Sequence, residues 1–258
     1  MEYNKIVDEQ PLKEETKPLD SLKDANLKWR CVGADCPDSC CIRFQQAIIF
    51  IQEILSLTRY FPLTFNTANS PDGEKNITLS IFLRTSLEKA PCAYLQEGVG
   101  CNLGEERPIV CKRFPFVMAK DQKGRDKVEL KPSCPGFSGE SGQPVLMAGG
   151  SINPIIFQEC VKPAMSAAEW AEETQKFVDT LVQHDLIAVG CCEHREQKVY
   201  MHIIDAQKLR ALQKNVLDSF REKGYMDLIL AHINSVVHMR KFIDIHLDSK
   251  TVSRKIFP

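Results

Sequence analysis

Residues 31–41 read C-V-G-A-D-C-P-D-S-C-C and set Cys31, Cys36, Cys40 and Cys41 close together in the chain. The spacers Gly33, Asp35, Pro37, Asp38 and Ser39 are turn formers, so the backbone can fold back and aim several sulfurs at one point. Thiolates on a knuckle of this kind are how proteins hold zinc or an iron–sulfur cluster. Neighbouring side chains of an extended chain point apart, so Cys40 and Cys41 are poor co-ligands of a single ion. Further ligands are therefore expected from elsewhere.

They are expected from the stretch Pro91–Phe116, P-C-A-Y-L-Q-E-G-V-G-C-N-L-G-E-E-R-P-I-V-C-K-R-F-P-F, which carries Cys92, Cys101 and Cys111. Cys134 follows in the turn Ser133-Cys134-Pro135-Gly136. All six histidines lie after residue 183, so soft ligands in this half are sulfur alone, a donor set that selects zinc or iron–sulfur over magnesium or calcium. Eight cysteines can fill two four-thiolate sites. The alternative is that four or five ligate and the rest are buried apolar thiols. Arg107 lies four residues before Cys111, where a helix would put both on one face and let the guanidinium offset thiolate charge. Arg113, Glu105 and Glu106 share that choice between tuning the site and making surface ion pairs. Phe114 and Phe116 are expected to pack beside the site and keep water from it.

These blocks, C-x4-C-x3-C-C, then P-C-x-x-L…G-C…E-x-R-P-x-x-C-x-x-F-P-F, then a lone C-P-G, resemble the YkgJ-type cysteine-cluster family, described as zinc- or iron-chelating. The form of residues 31–41 is most similar to its flagellin lysine N-methylase branch. The resemblance covers residues 29 to 137. It implies that Cys31, Cys36, Cys40, Cys41, Cys92, Cys101, Cys111 and Cys134 are the metal ligands, holding a 4Fe–4S cluster or zinc. It also implies S-adenosylmethionine as a second cofactor and a protein substrate or partner for a lysine N-methylase-like enzyme. A structural zinc site in an interaction protein is the reading that needs no enzyme.

Composition bounds the rest. The chain has 258 residues, 43% of them hydrophobic, with Lys plus Arg (33) close to Asp plus Glu (34). A net charge of -1 gives no reason to expect nucleic acid or an acidic membrane as partner. No apolar run has the length of a membrane span, and the polar opening residues have no apolar core of a secretory signal. Eleven cysteines without such a signal point to a reducing, cytoplasmic setting and to ligands rather than disulfides.

The pattern along the chain predicts an α+β protein, mainly helical, with few short strands. Residues 1–25 are expected as a flexible arm, 26–138 as a cysteine-rich metal-binding domain, 139–150 as a linker and 151–258 as a helical C-terminal part. Apolar spacing predicts a helix over 44–59, alternation a strand over 76–83, and short elements a helix over 105–111 and a strand over 128–130. Beyond the linker, the capping box Ser166 to Glu169 opens a helix to about Leu186. Residues 199–203 are expected as a strand. Asp205 caps a helix closed by Gly224, and a last helix runs from Tyr225 to about Leu247.

No dinucleotide fingerprint, P-loop, H-E-x-x-H or nucleophile elbow is present, and Gly98-Val99-Gly100 lies in a cysteine block rather than after a strand. Catalytic residues are therefore not assigned. Cys191, Cys192 and His194 form a C-terminal group whose nearest other cysteine is the distant Cys160, and are read as incidental. His232 and His238 are read as packed or surface residues. The tail from Asp205 to Ser235 is loosely similar to the C-terminal end of SapC-like proteins, which implies a shared helical element and no chemistry.

Overall fold

The computed structural model describes residues 16–19, 27–31, 41, 46–69, 75–83, 91–96, 100–121, 123–137, 142–194 and 196–244. Its centre is an antiparallel sheet of five strands in the order β6-β7-β2-β3-β1. These are β1 (Gln46–Ile48), β2 (Leu63–Asn69), β3 (Lys75–Phe82), β6 (Ile187–His194) and β7 (Gln197–Ile204). A smaller sheet pairs β4 (Phe116–Lys120) with β5 (Asp126–Leu130), and Lys17–Pro18 adds to its edge opposite Leu130 and Glu129.

This corrects the expectation of a mainly helical chain with few short strands. The part after residue 150 contributes the long hairpin β6–β7, and β7 reaches back to β2 where His202 faces Phe65. Along β6 the face of Val189 and Cys191 is exposed and the face of Gly190, Cys192 and His194 is half-buried, as suits a strand with one face packed. The sheet is thus built from both sides of the Gly-rich stretch at 139–150. Within that stretch Gln143 and Pro144 pair with Trp29 and Lys28.

Residues 44–59 also differ from expectation. Gln46–Ile48 is a strand beside Ser80–Phe82, followed by a 3-10 turn Ile51–Glu53 and the short helix α1 (Ile54–Leu57). Ile48, Ile49 and Ile51 are β-branched, which favours extended chain once a neighbouring strand is offered. The expected start at Phe44 and end at Leu247 of the last helix fall outside the described residues. The predicted helix over 105–111 is broken. Arg107 has ψ 142, because the ring of Pro108 pushes the residue before it out of the helical region, and α2 starts afresh (Ile109–Arg113).

The long helix α3 (Lys162–Gln183) buries Ala164, Ala167, Thr174, Phe177, Val178 and Leu181, a stripe at helical spacing. It begins earlier than the capping box predicts. Asn153 caps a first turn by accepting the Ile155 N–H at 2.9 Å, and a widened π turn, Phe157–Val161, then leads into Lys162. Pro163 follows at once; its ring crowds the carbonyl four residues back, which lies inside that widened turn. Asp205 caps the short helix Ala206–Arg210 by accepting the Gln207 and Lys208 N–H groups. The single helix expected to Lys223 divides there and resumes as α4 (Lys214–Glu222). Gly224 at φ 70 closes it, and α5 (Tyr225–Ser235) begins.

The main core lies between the large sheet and the helices, with Phe61, Phe65, Phe177, Phe220 and Phe242 all buried. A second, smaller core joins Leu19, Trp29, Phe116, Leu130, Val145, Ile156, Cys160 and Val161. Cys41, Cys92, Cys101 and Cys192 line the first core, and Cys134 and Cys160 the second.

Candidate thiol site

Cys41, Cys92 and Cys101 lie at the edge of the main core. The Cys92 N–H donates to the Cys41 carbonyl at 2.6 Å, which joins two stretches far apart in sequence. Cys101 is brought in by a short ladder in which it faces Leu95, and Gly100 takes φ 98 to enter it. Cys111 rides on α2. There the negative charge that Cys41, Cys92 and Cys101 would carry adds to burial in raising its thiol.

Glu53 holds α2 in place. One carboxylate oxygen accepts the Ile109 N–H at 2.6 Å and the other the Phe50 N–H at 3.2 Å. The first N–H groups of a helix have no partner within it, and a carboxylate there also meets the positive end of the helix dipole. Burial nevertheless raises the Glu53 carboxyl above its ordinary value, with the two backbone N–H groups and the cations Lys112 and Arg113 pulling the other way. Arg113 is itself depressed by burial and is in electrostatic contact with Glu53 and Cys111.

Burial controls the thiols as well. It pushes Cys92 up to about 12, and it raises Cys101 and Cys111. Repulsion from neighbouring sulfurs adds to this in each case, while Arg107 draws Cys101 back down. Burial outweighs the nearby arginines, so these groups hold their protons and are poor nucleophiles.

The structure places the expected ligands as follows. Cys41, Cys92 and Cys101 line the main core, and Cys111 lies on α2. Cys31 is exposed and within electrostatic reach of Cys101. Cys134 packs against the second core. Cys36 and Cys40 lie outside the described residues. Among the described residues no group of three or more His, Cys, Asp or Glu side chains stands where it could hold a metal ion. The expectation of a formed zinc or iron–sulfur centre, and with it the description of the chain as a metal-binding cysteine-cluster protein, is corrected on that observation. The gathered thiols do not stand at ligand spacing.

The intervening residues sort clearly. Arg107 is near Cys101 and also donates from Nε to the Gly104 carbonyl at 2.9 Å. Glu106 bonds with Arg59 at 3.3 Å and accepts the Tyr60 hydroxyl, and Glu105 pairs with Lys112 at 3.7 Å, so both make surface contacts. Phe116 is buried edge-on to Trp29, whereas the Phe114 ring lies under Lys131. In the C-terminal half, Cys191 and Cys192 alternate along β6, and His194 bonds to Asp244 at 2.9 Å. His232 is fully buried, stacked 4.9 Å from Phe65, and among the described residues no partner meets its ring nitrogens. A cavity of about 310 Å³ opens where the end of α3 meets β2, β3, β6 and β7, lined by Asp185, Thr67, His202 and apolar residues but by no cysteine.

Sequence reasoning missed Glu53. It is an acid within an isoleucine-rich run, which is the one local sign that it serves something buried.

The SapC family model matches residues 19–242. No curated protein and no solved structure matches. The match spans most of the chain and both sides of the residue 150 region. It overturns the resemblance to the YkgJ-type family and its methylase branch, which rested on cysteine spacing over 29 to 137. The methylase-like activity and its S-adenosylmethionine lose their only support. The likeness noted in the tail is the end of a match that runs through nearly the whole described structure.

Proposed function

We propose that this chain, which belongs to the SapC family, works through a thiol site that takes a thiophilic ligand at α2. The observation that carries this reading is that Cys41 and Cys92, joined by a backbone hydrogen bond, lie with Cys101 at the edge of one core although they come from separate stretches. Arg107 and Arg113 stand beside it. Sulfur binds a soft partner once its proton is displaced, and a positive partner removes the penalty that burial imposes on bare thiolate. Because the described thiols are not at ligand spacing, no coordination geometry is assigned.

Metal and acid-labile sulfide analysis of anaerobically purified protein tests the reading, and decides whether the ligand is the iron–sulfur cluster or zinc ion that the cysteine count led us to expect. Stoichiometric occupancy that is lost in both Cys92→Ser and Cys111→Ser supports it. Protein with neither metal nor sulfide, whose thiols all alkylate once unfolded, removes it. A reducing, cytoplasmic location belongs to the same proposal and is checked by cell fractionation.

A further inference from the structure

We infer that Cys41 and Cys92 are a redox-sensitive pair, which closes to a reversible disulfide when the protein meets a small disulfide oxidant. The inference stands apart from the ligand reading above, since it needs two thiols and no bound partner. In the fold the Cys92 N–H donates to the Cys41 carbonyl at 2.6 Å. With standard bond lengths, one such hydrogen bond holds the two Cα atoms about 5–6 Å apart. A disulfide spans about 4.4–6.8 Å between Cα atoms, so the backbone already stands at bridging distance. Both side chains also pack against the same main core, so both leave the backbone on one side. Among the described residues no other two cysteines are joined by a backbone hydrogen bond. Cys101, at the same core edge, is tied to Cys92 only through Leu95, whose N–H donates to the Cys92 carbonyl at 2.9 Å and which faces Cys101 across the short ladder.

The two thiols differ in access. Cys41 is half-buried, whereas Cys92 is 8% exposed. Cys41 is therefore the one that meets an oxidant in solution. Its thiolate attacks one sulfur of oxidised glutathione, forming a mixed disulfide and releasing one glutathione. Cys92 then loses its proton and attacks the Cys41 Sγ, which forms the Cys41–Cys92 bond and releases the second glutathione. The two protons lost by the protein thiols end on the two glutathiones, so one disulfide is reduced as the other forms. Burial pushes the Cys92 thiol up to about 12, which makes it a poor attacker of a free oxidant. Against Cys41 it has a target held at short range, and proximity offsets that handicap.

Reduced full-length protein, treated with a chelator, is exposed to oxidised glutathione at neutral pH, alkylated, digested without reduction and mapped by mass spectrometry. The Cys41–Cys92 peptide is expected as the main bridge, at least about tenfold above any other pair, and a thiol reductant should return both residues to alkylatable form. The same treatment in urea should lose that preference, because an unfolded chain closes its shorter loops most readily. Cys92→Ser should trap Cys41 as its glutathione adduct; if that variant does not fold, the wild-type map decides alone. A Cys92 that keeps its free thiol, or that bridges to Cys101, overturns the inference. So does a Cys41–Cys92 bridge no more abundant in folded protein than in urea. None of these outcomes bears on the metal and sulfide analysis, which tests the ligand reading separately.

Discussion

Glu53 and Ile109 are joined by a 2.6 Å hydrogen bond from the backbone N–H of the second to the carboxylate of the first, across 56 positions of sequence. That contact sets where α2 starts and therefore where Cys111 points. Glu53→Ala leaves both Ile109 and Phe50 N–H groups unpaired in a buried setting, and is expected to cost about 2–4 kcal/mol in urea denaturation. Glu53→Gln keeps an acceptor and should cost less. The pH dependence has a definite sign. The folded carboxyl titrates above its ordinary value, so the folded state holds the proton more tightly than the unfolded state does. Stability then falls as pH rises from the ordinary carboxylate range through the folded value, and Glu53→Gln should flatten that fall.

His232 makes the opposite prediction. Burial lowers its imidazole to about 3, and among the described residues no partner meets either ring nitrogen. The unfolded chain binds a proton near pH 6.5 that the folded chain refuses. Stability is therefore complete above that value and lost as pH falls towards 3. At pH 5 the loss should be about 2 kcal/mol relative to pH 7. His232→Phe should remove that part of the acid sensitivity, measured as midpoints of chemical denaturation at the two pH values.

Gly136→Ala tests how closely the Cys134 turn meets Trp29. A Cβ at Gly136 would lie 2.6 Å from the Arg30 carbonyl oxygen and 2.8 Å from the Trp29 Nε1. The first of these is backbone and cannot step aside alone. A loss of about 1–3 kcal/mol is expected, with a change in Trp29 fluorescence. Gly149→Ala meets no neighbour but sits at φ 97, and should cost stability without moving that fluorescence.

Thiol labelling should sort the cysteines by surroundings. Cys31 and Cys191 are exposed, while Cys92 and Cys160 are buried with thiols pushed up to about 12. Iodoacetamide at neutral pH is expected to modify the exposed pair at least about tenfold faster, followed peptide by peptide in a mass spectrometer. Equal rates would show that the two cores open far more readily than their packing suggests.

Parts of the fold were legible in the residues. The alternation at Asn76–Phe82 marks β3, and Asp205 and Gly224 mark helix ends that are found. These are local effects, decided by side-chain period, a capping oxygen or a permitted φ. Residues 46–57 were not legible. Their apolar spacing suits a helix, and only pairing with Ser80–Phe82 makes Gln46–Ile48 a strand. Hairpin β6–β7 was half seen for the same reason, since its role depends on β2 being there to receive it. The family was misread because cysteine spacing weighed more than the pattern of the whole chain, over which SapC matches.

The sequence by itself determined a half of the chain whose soft side chains are all sulfur, with arginines set among them and turn formers between. Only the tertiary structure decided which of them meet. Cys41 reaches Cys92 through one backbone hydrogen bond, and Cys111 takes its direction from Glu53. Each of these rests on a contact between distant residues, whose gain is realised only after the loop between them has closed. No local period or spacing carries a mark of it.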